Sequence, residues 1–139
     1  MNSALKKSIS TILNSSLKED KVFTDITTQN LIEDSNLTCE LVFKESGILC
    51  GTKIVTYLIK NFNDKIKIVW KFKEGSFIKK NTRIASIDGP GNKVLAIERV
   101  LLNFLQKTSG IATITYNFCK LIKNKKINLL DTRKTTPGW

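Results

Sequence analysis

The chain has 139 residues, 41% hydrophobic and 25% charged, which suits one folded core without disulfide staples. It carries 23 Lys and Arg against 12 Asp and Glu, a net charge of +11, and it has no His. Without His, these residues cannot supply a Ser-His-Asp triad, a Cys-His dyad, an HExxH zinc site or a histidine pH switch.

Residues 3–18 predict an amphipathic helix, because Leu5, Ile9, Ile12, Leu13 and Leu17 fall on one face. The same stretch is Ser-rich and acid-free, a faint likeness to a transit peptide that the helical spacing outweighs. Residues 20–36 read as polar and irregular. Residues 37–43 alternate, with Leu37, Cys39, Leu41 and Phe43 on one side, as in a half-buried strand. A turn follows at Glu45-Ser46-Gly47. Residues 52–62 predict a helix through Ile54, Val55, Leu58, Ile59 and Phe62.

Residues 65–73 give the strongest strand signal, with Ile66, Ile68, Trp70 and Phe72 facing one way. Trp70 and the Phe residues are expected in the core. Turns are expected at Glu74-Gly75 and near Lys80-Asn81. A strand over 82–88 is expected to stop at Asp88-Gly89-Pro90-Gly91. That tetrapeptide reads as a turn, since it lacks the Lys and spacing of a phosphate cradle. A helix is expected over 93–107, broken at Ser109-Gly110 and resumed over 111–123. Residues 127–131 read as a short buried strand, followed by Thr132-Arg133-Lys134-Thr135-Thr136-Pro137-Gly138-Trp139. Strands mixed with helices in this order indicate an α+β fold class.

The basic excess is nearly all Lys, 20 residues against three Arg, and 49 of the 139 residues are Lys, Ile or Asn. That is the bias of A- and T-rich codons spread over a solvated surface. Nucleic-acid readers favour Arg forks and exposed aromatics, so the composition argues against such a partner. Cys39, Cys50 and Cys119 are odd in number and lack CxxC spacing, which points to three reduced, buried thiols in a cytoplasmic protein and no metal site. No apolar run is long enough for a membrane span.

With Arg so scarce, its positions carry weight. Arg83 lies on a strand and reads as a surface residue. Arg99 lies on the helix around Glu98-Arg99-Val100-Leu101-Leu102-Asn103-Phe104-Leu105. Arg133 and Lys134, with Thr132, follow a predicted strand, where α/β folds bind ligands. A guanidinium fork, an ammonium and hydroxyls together suit a small anion with more than one carboxylate or phosphate. A solvated polar loop is the plain alternative. The thiols sit on apolar faces with no base beside them, which argues against nucleophilic catalysis.

Taken together, these segments resemble the quinolinate phosphoribosyltransferase family. The resemblance rests on Leu17-Lys18-Glu19-Asp20, Asp25-Ile26-Thr27-Thr28, Gly47 to Gly51, and Phe72-Lys73-Glu74-Gly75 through Asp88-Gly89-Pro90. It rests most on Glu98 to Gln106, Ser109-Gly110-Ile111-Ala112-Thr113 and Asp131 to Gly138. The resemblance implies an N-terminal α/β sandwich with a lipoyl-like hairpin region over 1–108, then the truncated first βα unit of an α/β barrel over 109–139. It implies transfer of a phosphoribosyl group from phosphoribosyl pyrophosphate to quinolinate, giving nicotinate mononucleotide, pyrophosphate and carbon dioxide in NAD biosynthesis. Arg99, Thr132, Arg133 and Lys134 would bind substrate, Arg99 reaching the neighbouring subunit of a dimer. Magnesium is expected for the reaction, with its protein ligands outside these residues. A whole barrel of this kind takes about 250 residues, so the chain alone is expected to be an inactive fragment, partly disordered or swapped beyond about residue 108. The alternative is a non-catalytic dimerisation or regulatory module derived from that enzyme. A lipoyl carrier is excluded by the absence of a Lys at a tight hairpin tip between Met or Ala, whereas a paralogue acting on a related pyridine stays open.

Overall fold

A computed structural model describes residues 3–24, 35–123, 126–132 and 134. Helix α1 spans Ser3–Glu19 and turns its apolar face inward, burying Leu13 and Leu17. A short 3-10 turn, Val22–Thr24, follows. Asp25 to Thr28, part of the family resemblance, lie outside the described residues. Strand β1, Asn36–Phe43, alternates as its sequence requires, with Leu37, Cys39, Leu41 and Phe43 the more buried set. Strand β2 is Gly47–Ile48, and helix α2, Thr52–Phe62, has the bounds its periodicity predicts.

Strand β3, Lys67–Trp70, is shorter than the apolar run suggests. Ile66 is buried ahead of it, and Phe72 beyond it is exposed. Strand β4 is Phe77–Ile78, and β5 is Thr82–Pro90. Two small antiparallel sheets result, β1-β5-β3 and β2-β4, in a mixed α/β fold. Leu41 pairs with Ala85 and Val42 with Arg83, so Ile84 has no partner on β1. That bulge lets Ile84 and Ala85, adjacent in sequence, both be buried.

The strand ends inside the expected stop, Asp88-Gly89-Pro90-Gly91, but two residues later than expected, and the tetrapeptide is a strand end and helix start, not a turn. β5 continues through Pro90, which pairs with Asn36, and α3 starts at the next residue. Gly89 makes this passage possible, because a Cβ there would lie 3.0 Å from the Ile66 Cα. Pro90 has no N–H to leave unpaired, and the Gly91 amide donates to the Ser35 carbonyl at 3.0 Å.

Helix α3, Gly91–Ile122, runs unbroken for 32 residues through Ser109-Gly110. Its first half supplies Val94, Ile97, Val100, Leu101, Phe104 and Leu105 to the core, where they meet α1, α2 and β5. The residues just past 108 are therefore helical. Residues 127–131 form no strand, and Ile127, Leu129 and Leu130 are exposed; a strand needs a neighbour, and the described residues offer none there. The expectation that the Phe residues are core also fails for Phe23, Phe72, Phe77 and Phe118, all exposed. Trp70 is half-buried, its indole Nε1 donating to Thr56 Oγ1 at 3.0 Å. No described helix is long and apolar enough to cross a membrane.

Candidate functional site

The feature that fixes α3 is a row of hydroxyls one helical turn apart. The Ile48 amide donates to Thr113 Oγ1 at 2.8 Å, and the Cys50 amide donates to Ser109 Oγ at 3.0 Å. Thr108 Oγ1 donates toward the Cys50 carbonyl at 2.7 Å. Two glycines allow this approach. A Cβ on Gly47 would stand 2.5 Å from Thr113 Oγ1, and one on Gly51 would stand 2.5 Å from Thr108 Oγ1. Ser109-Gly110-Ile111-Ala112-Thr113 is thus a splice between α3 and the β2 strand, not a helix break. Ser109 is buried because its hydroxyl is satisfied.

Glu74 anchors the other side of that segment. Its carboxylate accepts from the Gly51 amide at 2.8 Å, the Thr52 amide at 2.9 Å and the Thr52 hydroxyl. A carboxylate on the N-terminus of α2 meets free N–H groups and the positive end of the helix dipole. Burial works against its charged form, but the bonds from Thr52, Gly51 and Cys50 outweigh it and hold the carboxyl below the ordinary glutamate range. Gly51 supplies the left-handed turn, φ 98°, that brings the helix start to Glu74. Burial, and then Glu74, push the Cys50 thiol up; burial and the Glu98 charge push Cys39 up. Thiols so held stay protonated and unreactive. None of the three is fully buried as expected: Cys39 and Cys50 are half-buried and Cys119 is exposed.

Arg99 projects from the first half of α3. Its Nη1 donates to Asp20 Oδ1 at 2.8 Å, joining α3 to the end of α1. The Arg99 side chain is 77% exposed and that of Asp20 only 17%. Arg83 is exposed as expected and, with Lys71, pairs with Glu40 on the sheet surface. Thr132 and Lys134 lie in exposed irregular chain, where the Lys134 amide donates to Thr132 Oγ1 at 3.2 Å. Arg133 lies outside the described residues. No described contact joins Arg99 to Thr132 or Lys134 within one chain.

A concavity of about 700 Å³ runs between β1 and α3 and is lined by Leu41, Phe43, Leu102, Ser109 and Ile114 among others. It holds neither Arg99 nor Thr132 nor Lys134, and its apolar walls do not suit a small dianion. Among the described residues no three of His, Cys, Asp and Glu converge, so they do not fit a magnesium site. Sequence reasoning missed Glu74, the hydroxyl row and Asp20. The paired Gly47 and Gly51 opposite a Ser/Thr-spaced helix were the available signal for the hydroxyl row.

Residues 25–109 match the family described as quinolinate phosphoribosyl transferase, N-terminal domain. The chain is 34% identical over 127 residues to a probable nicotinate-nucleotide pyrophosphorylase [carboxylating] of Bacillus subtilis (strain 168), covering 91% of this chain and 44% of that protein. It is 33% identical over 131 residues to the chloroplastic nicotinate-nucleotide pyrophosphorylase [carboxylating] of Arabidopsis thaliana, covering 91% and 36%. Among solved structures, the nicotinate-nucleotide pyrophosphorylase from Francisella tularensis superposes with a TM-score of 0.89 at 38% identity, over 95% of this chain and 48% of that one. The Ehrlichia chaffeensis enzyme of the same name gives 0.86 at 34%, over 93% and 47%. The chain spans about half the length, or less, of these relatives.

Proposed function

The chain belongs to the quinolinate phosphoribosyltransferase family, and on that premise we propose that it is the N-terminal part of an enzyme making nicotinate mononucleotide from quinolinate and phosphoribosyl pyrophosphate. The observation that carries this reading is the match over 91% of the chain to a relative named for that product. Arg133 and Lys134 bind the carboxylates of quinolinate with Thr132 beside them, and Arg99 binds substrate in the site of the neighbouring subunit. Closely spaced cations offset the desolvation of a dianion, and attack of the ring nitrogen on the ribose carbon needs positioning and charge neutralisation more than a nucleophilic side chain. The exposure of Arg99 on its own chain supports a role toward a second subunit of a dimer. Residues 109–139 begin the barrel that completes the site, and magnesium is held by residues beyond these. The exposed Ile111, Ile114, Phe118 and Leu121 are the side chains that such a completion would cover. The reduced thiols favour the cytoplasm. By itself the chain is inactive.

Two assays test this. The purified 139-residue chain, given quinolinate, phosphoribosyl pyrophosphate and magnesium, yields no nicotinate mononucleotide; turnover would overturn its inactivity. The chain fused to the matching remainder of the Bacillus subtilis relative yields the product. A folded fusion that binds both substrates but makes no product overturns the enzymatic reading.

A further inference from the structure

Asp20 sits where a carboxylate is disfavoured. Its amide donates to the Ser16 carbonyl at 3.0 Å, so it stands at the C-terminal end of α1, among carbonyls that carry the negative end of the helix dipole. Its side chain is also largely withdrawn from water, at 17% exposure. The Arg99 guanidinium offsets both costs, yet Arg99 itself stays 77% exposed. Pairs so open to solvent add little to stability. What this one does is give direction. A free Arg samples many rotamers, and a guanidinium tethered at one terminal nitrogen samples few. The tether uses Nη1. Among the described residues no hydrogen bond engages the Nε–Nη2 edge, which forms the planar fork with a carboxylate.

We propose that Asp20 is a positioning residue for Arg99: by holding Nη1 it presents the Nε–Nη2 edge to a carboxylate of quinolinate. This rests on the reading of Arg99 as a substrate-binding residue. A side chain fixed before binding loses less freedom on binding, so the pair acts on affinity for the anion and not on the chemical step.

The test uses the chain fused to the matching remainder of the Bacillus subtilis relative, which supplies the rest of the site, and quinolinate binding is followed by calorimetry at constant ionic strength. Asp20→Asn, which keeps the shape and removes the charge, weakens the affinity about fivefold, and Arg99→Lys weakens it at least as much. Asp20→Glu recovers part of the loss, kcat of Asp20→Asn at saturating quinolinate stays near that of the parent fusion, and thermal melting of all variants stays near that of the parent. If Asp20→Asn binds as tightly as the parent fusion while Arg99→Lys binds weakly, the proposal falls and the role of Arg99 stands. If Arg99→Lys also binds as tightly as the parent fusion, both fall together.

Discussion

Val94, Ile97, Leu101 and Phe104 in the first half of α3 are buried, whereas Ile111, Ile114, Phe118 and Leu121 in the second half lie open to solvent. Both sets follow the same spacing of three, four and three residues. The second set starts 17 residues after the first, which at 3.6 residues per turn rotates it by about 100° around the helix axis. One stripe faces the α1, α2 and β5 core, and the other faces away from it. An apolar rhythm therefore states that a face is to be covered, and only its phase tells by what.

The comparison is broken most severely at the buried stripe. Leu101→Ala removes a side chain that is 2% exposed and costs about 2–5 kcal/mol, whereas Phe118→Ala, on a side chain 54% exposed, stays within about 0.5 kcal/mol. Chemical denaturation of the two variants reads the difference directly, and equal losses would mean that the second stripe is covered within the chain. Next comes the junction between the halves. Ser109→Ala leaves the Cys50 amide without its acceptor in a part-buried setting and costs about 1–3 kcal/mol. A neutral result in the same denaturation would show that the hydroxyl row does not hold the helix.

The smallest effect sharpens the comparison by pH. Glu74 is held below the ordinary glutamate range when folded, so its stabilisation is complete above the unfolded pKa of about 4.3 and is lost as pH falls through the lower folded value. Glu74→Gln therefore costs about 1 kcal/mol at neutral pH and converges on the parent in strong acid. Denaturation curves at neutral pH and below pH 4 check the sign. A gap that widens in acid contradicts it.

The same phase shift explains what was legible in the sequence. The bounds of α2 were, because one stripe on one face met one core. The two-helix reading of residues 93–123 was not, because a stripe that changes face looks like a stop, and Ser109-Gly110 stands where it changes. The last two residues of β5 were not legible because Gly89 and Pro90, which usually punctuate, here allow close passage over Ile66 and a strand end without an unpaired N–H. Of the proposed site, Arg99 and the Thr132 to Lys134 segment could be singled out by residue type. Asp20 could not be tied to Arg99, since 79 residues separate them and only the meeting of α1 with α3 brings them together.

The hydroxyl row gives α3 a mechanical character. As a rod of 32 residues it is about 48 Å long, and it is pinned near its middle, at Thr113 to Ile48 of β2 and at Ser109 to Cys50 just beyond it. Bonds set at one-turn intervals forbid gradual sliding, since the next register lies about 5.4 Å away. The half before the pin is set in the core by Val94, Ile97, Leu101 and Phe104, and Arg99 on it is tied to Asp20, so the rod is a beam built in at one end. Phe118, about 14 Å past Ser109, lies on the overhanging arm, where a load bends the overhang and leaves the guanidinium in place.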